Sequence, residues 1–204
     1  MSADGQPTGG RGSLTARVFT AWADMAGSMR WLLSLNPSEA TILVLFMLSG
    51  GFQFLGNVAK LWLDPATAAM PEGEIVSRAG AAFAAALIFR TLALYAFAAL
   101  SHWLSKLAGG TGSGRDSRAA MAWSALVAAP ITLLFTLAGL SFGPLIGESA
   151  AATLLQIGPL LLGFALAQCL SEAHGFTRPW LVLAVIAGLI FVLITGLQLL
   201  ARGI

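Results

Sequence analysis

A chain of 204 residues that is 57% hydrophobic and only 10% charged, with a mean hydropathy of +0.83, is far poorer in charge than the roughly 25% of an ordinary soluble domain. The composition excludes most soluble classes and points to a polytopic membrane protein, and a formal charge of +2 leaves no basic footprint for nucleic acid. The single cysteine, Cys169, excludes an internal disulfide; inside an apolar run it reads as a packing residue, with a reactive or lipidated thiol as the alternative.

Residues 1–13, MSADGQPTGGRGS, are polar and rich in Gly and Ser, which predicts a disordered tail and no cleavable signal peptide. From residue 14 to 35 the pattern is that of a helix with one oily face. Leu14, Val18, Trp22, Met25, Met29 and Leu32 follow three- and four-residue steps, with Arg17, Asp24, Ser28 and Arg30 between them. Two readings stay open. In one, this is an amphipathic interfacial helix with Trp22, Met25, Met29 and Trp31 at the membrane surface; in the other it is a lead-in helix packed on the protein's own spans. Asn36-Pro37 ends it.

A five-span transmembrane domain is expected over residues 36–204, making the chain an all-α integral membrane protein. The first span, residues 40–63, carries Gln53 and Asn57 toward its far end and Trp62 as an interface anchor. The acidic connector 64–78 reads as a loop that could hold a short helix from Pro71. The second span, residues 79–104, has Arg90 near its middle, where an unpaired cation costs roughly 2.5 kcal/mol or more. The loop that follows, AGGTGSGRDSR, lacks the strand and the Gly-Lys-Ser/Thr ending of a P-loop, so a flexible link rather than a nucleotide site is expected. The third span, residues 119–140, contains Pro130; a turn, SFGPLIGES, leads to the fourth, residues 150–170, with Pro159. Both prolines are candidate kinks. The fifth span is residues 179–200.

Five spans place seven cations (Arg11, Arg17, Arg30, Lys106, Arg115, Arg118 and Arg178) on the N-terminal side and three (Lys60, Arg78 and Arg202) on the other. The positive-inside rule then puts the N-terminus in the cytoplasm and the C-terminus in the periplasm. Measured along the helices from their outer ends, Arg90 lies roughly 18 Å from Arg78, Gln53 roughly 10 Å from Lys60, and Gln156 roughly 12 Å from Glu148. A polar layer of Arg90, Gln53, Asn57 and Gln156 follows, with Arg90 held by amide oxygens or by carbonyls freed at Pro130 or Pro159 and Glu148 as the nearest counter-charge. Arg90 is then either an anion or partner site or a hydrogen-bonded packing residue.

Catalytic chemistry is hard to find. His102 and His174 lack the Cys or carboxylate companions of a metal site, Ser171 with His174 has no third partner, and the spans contain no carboxylate for proton-coupled work. Neither an enzyme nor a cofactor is expected.

Gly109-Gly110-Thr111-Gly112-Ser113 running through Ala122-Trp123-Ser124 to Ala129-Pro130, the Asn36-Pro37 lead and the connector Ser171-Glu172-Ala173-His174-Gly175-Phe176 resemble bacterial members of the Yip-domain family of Ypt/Rab-interacting membrane proteins. The Asp-Leu-Tyr-Gly-Pro element of eukaryotic members is reduced to Phe142-Gly143-Pro144. The resemblance implies a non-enzymatic scaffold of the bacterial inner membrane, binding lipid, another membrane protein or further copies of itself. The alternative is a small transporter or channel using the polar layer around Arg90.

Overall fold

The computed structural model describes residues 13–63 and 65–201, and for residues 65, 189–194, 196–197 and 199–201 the backbone alone. The tail expected over residues 1–13 therefore lies, apart from Ser13, outside the described residues. Everything described is helix or short connection. The elements are α1 (Leu14–Thr20), α2 (Met25–Ser34), α3 (Glu39–Leu63), a 3₁₀ turn (Pro65–Ala69), α4 (Glu72–Ala84), a π-helical turn (Ala85–Phe89), α5 (Arg90–Leu107), α6 (Gly114–Ile146), α7 (Glu148–His174) and α8 (Pro179–Ala201).

Four helices are long and apolar enough to cross a membrane: α3, the continuous helix Glu72–Leu107 formed by α4, the π turn and α5, α6, and α7. The fifth segment expected from the sequence is the helix α8, 23 residues long. Successive long helices run antiparallel. Their ends near Glu39, Lys106, Arg118 and Glu172 gather at one end of the bundle, the basic end.

The core is the first half of α6. From Ala119 to Ala129 every residue is buried, which is why this stretch is apolar all round and rich in alanine rather than striped. α3, α5, α7 and the two N-terminal helices pack around it. Toward its other end α6 meets α7 closely: a Cβ added at Gly139 would lie 3.3 Å from Ala151 O, and one at Gly143 3.3 Å from Ala151 Cβ. Two glycines four apart let these backbones approach, the small-residue device of membrane helix pairs.

Three boundaries differ from the sequence expectation. The single helix over residues 14–35 is two, because Asp24 turns its carboxylate onto the Gly27 N–H at 2.8 Å and becomes the N-cap of α2 instead of a residue on a polar face. The turn expected at SFGPLIGES is absent: α6 runs through Pro144 to Ile146, and Gly147, at φ +87°, makes the reversal into α7. The second span begins at Glu72, since the extended Pro71 ends the connector without a side-chain cap, Glu72 and Glu74 suit the positive helix end, and Arg78 pairs with Glu74 at 2.7 Å one turn on.

Candidate functional site

Arg90 directly follows the π turn, and its N–H donates to Ala85 O, five residues back. This turn is pressed onto α3, where a Cβ added at Gly50 would lie 2.7 Å from Ala86 O. The approach carries the guanidinium over the next small residue: Arg90 Nη1 donates to Ser49 Oγ at 2.8 Å, and Ser49 Oγ in turn donates to Phe46 O at 2.8 Å. Among the described residues no carboxylate pairs with Arg90.

Beside Arg90 is a cavity of about 280 Å³ bounded by α3, α6 and α7. Small residues on its wall, Ala125, Ala128 and Ala129 on α6 and Gly56 on α3, leave the space open, while Gly158 on α7 seats against Thr132. The polar groups on its wall are Ser49, Gln53, Lys60, Arg90, Thr132 and Thr136. Thr132 Oγ1 donates to Ala128 O at 2.8 Å, and Gln53 Nε2 to Asn57 Oδ1 at 3.3 Å, so Asn57 holds Gln53 without itself facing the cavity.

The expected polar layer is thus brought together only in part. Arg90 and Gln53 face one cavity, with Pro159 on its wall. Gln156 does not join them: one position along from Leu155, which does face the cavity, it is turned about 100° around α7 and is exposed. Glu148 is exposed at the start of α7 and is not a counter-charge to Arg90. Nor do carbonyls freed by proline hold the guanidinium. Pro130 frees the carbonyl of Leu126, four residues back, and the side-chain bond of Arg90 among the described residues goes to Ser49 instead; the next carbonyl, Val127 O, accepts from Trp22 Nε1 at 3.3 Å. Ser49 was missed because a lone serine in an apolar helix carries no signal of depth or direction.

The N-terminal helices face inward. Met25 and Met29, which one of the two readings puts at the membrane surface and the other against the protein's own spans, are 6% and 0% exposed, because the oily face of α1 and α2 covers α6 and α7. Trp22 bonds α6 as described, and Trp31 lies 5.9 Å from Trp123 with the Arg17 guanidinium 3.9 Å over its ring. Trp123 is fully buried and donates its indole N–H to Ser28 Oγ at 2.7 Å. Arg30 pairs with Glu172 at 2.9 Å, and Arg118 grips Glu39 with both Nε and Nη2.

At the same end His102 and His174 meet with ring centroids 5.6 Å apart. Ser117 Oγ lies between them, 2.7 Å from His174 Nε2 and 3.3 Å from His102 Nδ1. The Gly-rich segment is no free link: Thr111 donates N–H and Oγ1 to His174 O at 3.1 and 3.3 Å, and Gly110 and Gly112 are buried against His174 and Ala173. Ser117 and His174 resemble a nucleophile and base in distance. Both are 1% exposed, however, and His174 Nδ1 has no partner among the described residues, so no carboxylate orients the ring. The cluster is a polar lock between α5, α6 and α7. Among the described residues no group of three or more His, Cys, Asp or Glu could hold a metal ion.

A second cavity, about 290 Å³, lies between α5, α7 and α8, walled by Leu104, Leu170 and Val182 among other apolar groups, with Arg178 at its edge. Comparison with known proteins finds no matching family model, no matching curated protein and no matching solved structure.

Proposed function

We propose that this chain is a five-span protein of the bacterial inner membrane, of the Yip type, with its N-terminus in the cytoplasm, that works by holding other membrane helices rather than by catalysis. One observation carries the reading. α4 has no buried residue, and of the four apolar helices Glu72–Leu107 is the least covered, with 17% of its apolar window buried against 39% for α6. Its outward face carries a row of small residues at four-residue steps, Ser77, Ala81 and Ala85, all exposed, beside Gly80, where an added Cβ would meet nothing within 4 Å. In lipid, where the hydrophobic effect does not drive helices together, such a row favours close approach of another helix. The reading draws on the resemblance of its quoted segments to the Yip type; those segments meet at the basic end, where Arg115 bonds Asn36 and the Gly-rich segment seats on His174.

The test is recovery from native membranes in mild detergent through an N-terminal tag, with mass spectrometry and native sizing. Wild type is expected to carry a stoichiometric membrane protein or a second copy. Gly80→Leu and Ala81→Leu, both at exposed positions, are expected to leave the single-chain fold intact and to release it. A wild-type chain that runs alone removes the proposal.

A further inference from the structure

We infer that the cavity beside Arg90 binds a small oxyanion, a phosphate or carboxylate group, with Arg90 as the deep contact and Lys60 as the contact nearer the membrane surface. This concerns the inner side of the Arg90 helix and is independent of the outward row on α4.

The charge pattern comes first. Among the described residues, two cations and four neutral hydrogen-bonding side chains line the cavity, and no carboxylate does. A guanidinium has five N–H donors, and among the described residues Arg90 uses one of them, on Ser49. Near mid-span such a group is costly until something negative reaches it. An oxyanion accepts two of its parallel N–H bonds at once, the geometry for which guanidinium is suited.

Size and access come next. The volume of about 280 Å³ is at the small end for ligand pockets. It leaves room for a small anion and a few waters. Ser49 and Lys60 are eleven residues apart on α3, so the cavity wall extends about 16 Å from the Arg90 level toward the helix end. Lys60 is exposed there and draws anions inward. The other cavity, between α5, α7 and α8, has almost entirely apolar walls and lacks this arrangement.

The same chemistry could come from a free solute or from a lipid headgroup, and two arms separate them. Purified full-length protein is reconstituted in phosphatidylcholine nanodiscs and its thermal unfolding followed against millimolar inorganic phosphate, with chloride holding ionic strength constant. A parallel set replaces part of the phosphatidylcholine with phosphatidylglycerol. Saturable stabilisation by phosphate assigns a free anion, stabilisation by phosphatidylglycerol alone assigns a headgroup, and either must weaken by about tenfold in apparent affinity in Arg90→Gln, the worth of a lost charge-assisted bond. Should that variant not fold, Lys60→Gln decides, since its site is exposed; it is expected to weaken binding several-fold. Absence of both stabilisations in wild type, or full retention of the effect in Arg90→Gln or, where that variant does not fold, in Lys60→Gln, overturns the inference.

Discussion

Arg90 and Ser49 are joined by a 2.8 Å hydrogen bond, and Ser49 hands its own proton to Phe46 O at 2.8 Å, so one small hydroxyl links a mid-span guanidinium to the backbone of α3. Ser49 is fully buried. Ser49→Ala is therefore expected to lower unfolding stability by roughly 1–2 kcal/mol, the upper part of the range for hydrogen bonds between membrane helices, because the bond involves a charge. Equilibrium unfolding in mixed micelles measures it. An unchanged midpoint would show that the guanidinium finds another acceptor at no cost.

The neighbouring glycine makes a harsher prediction. A methyl group at Gly50 would sit 2.7 Å from Ala86 O and 3.0 Å from Leu87 Cδ2. The first is backbone and cannot swing aside, so the π turn would have to lift from α3 and take Arg90 with it. Gly50→Ala is expected to cost about 1–3 kcal/mol, as overpacking does, although alanine is the better helix former by about 1 kcal/mol. Gly51→Ala, one residue along and meeting nothing within 4 Å, is the matched control and is expected to be neutral or stabilising.

These two positions show where sequence reading stops. Long apolar runs between Asn36-Pro37, Pro71 and the Gly-rich segment are a one-dimensional signal, and four membrane-length helices follow from them. That Arg90 needs polar company follows from its depth. Which residue supplies the company depends on helix rotation: Gln156 is at a suitable height but on an exposed face, and Ser49 is at a height no motif marks. The break at Asp24 was hidden because aspartate fits both the polar face of an amphipathic helix and an N-cap. His102 and His174, 72 positions apart, meet through Ser117 only because the 108–113 segment folds back on His174, a tertiary fact with no periodic trace.

At the basic end, burial decides which polar contact matters. The Arg118–Glu39 pair looks stronger, but its side chains are 32% and 51% exposed, and such pairs are worth about 0–1 kcal/mol. The Trp123 indole is fully buried, so Ser28→Ala orphans a donor and is expected to cost about 1–3 kcal/mol. Glu39→Gln should lose less than Ser28→Ala in the same unfolding assay, and its loss should shrink with salt. The reverse order would mean that this end of the bundle is drier than its exposure indicates.

Cys169 offers a reporter. It is fully buried on the α7 face that packs into the core, and it is the chain's one cysteine. A maleimide is expected to leave it unmodified in folded protein and to label one site in dodecyl sulfate, with the labelling rate tracking opening of the bundle. Rapid stoichiometric labelling of folded protein would contradict the packing of α7 described above.

The Gly-rich segment can be tested against the reading of it as a loose linker. A side chain at Gly112 would overlap Ala173 O, a backbone atom, and would also crowd His174 Nδ1 at 3.1 Å. Gly112→Val should therefore undock the segment and break the Thr111 bonds to His174 O, while leaving α5 and α6 helical. Lys106 and Arg115 flank the segment and give trypsin a site on each side. Cleavage there is expected to be slow in wild type and several-fold faster in the variant, because proteolysis follows the population of the open form when closing is fast. Gly109→Ala is the comparison. Its Cβ meets nothing within 4 Å, but φ is +84°, so it strains the backbone without blocking the seat. If both variants are cleaved alike, conformational strain governs the loop; if Gly112→Val is cleaved much faster, the contact with His174 and Ala173 does, and this is the expected result.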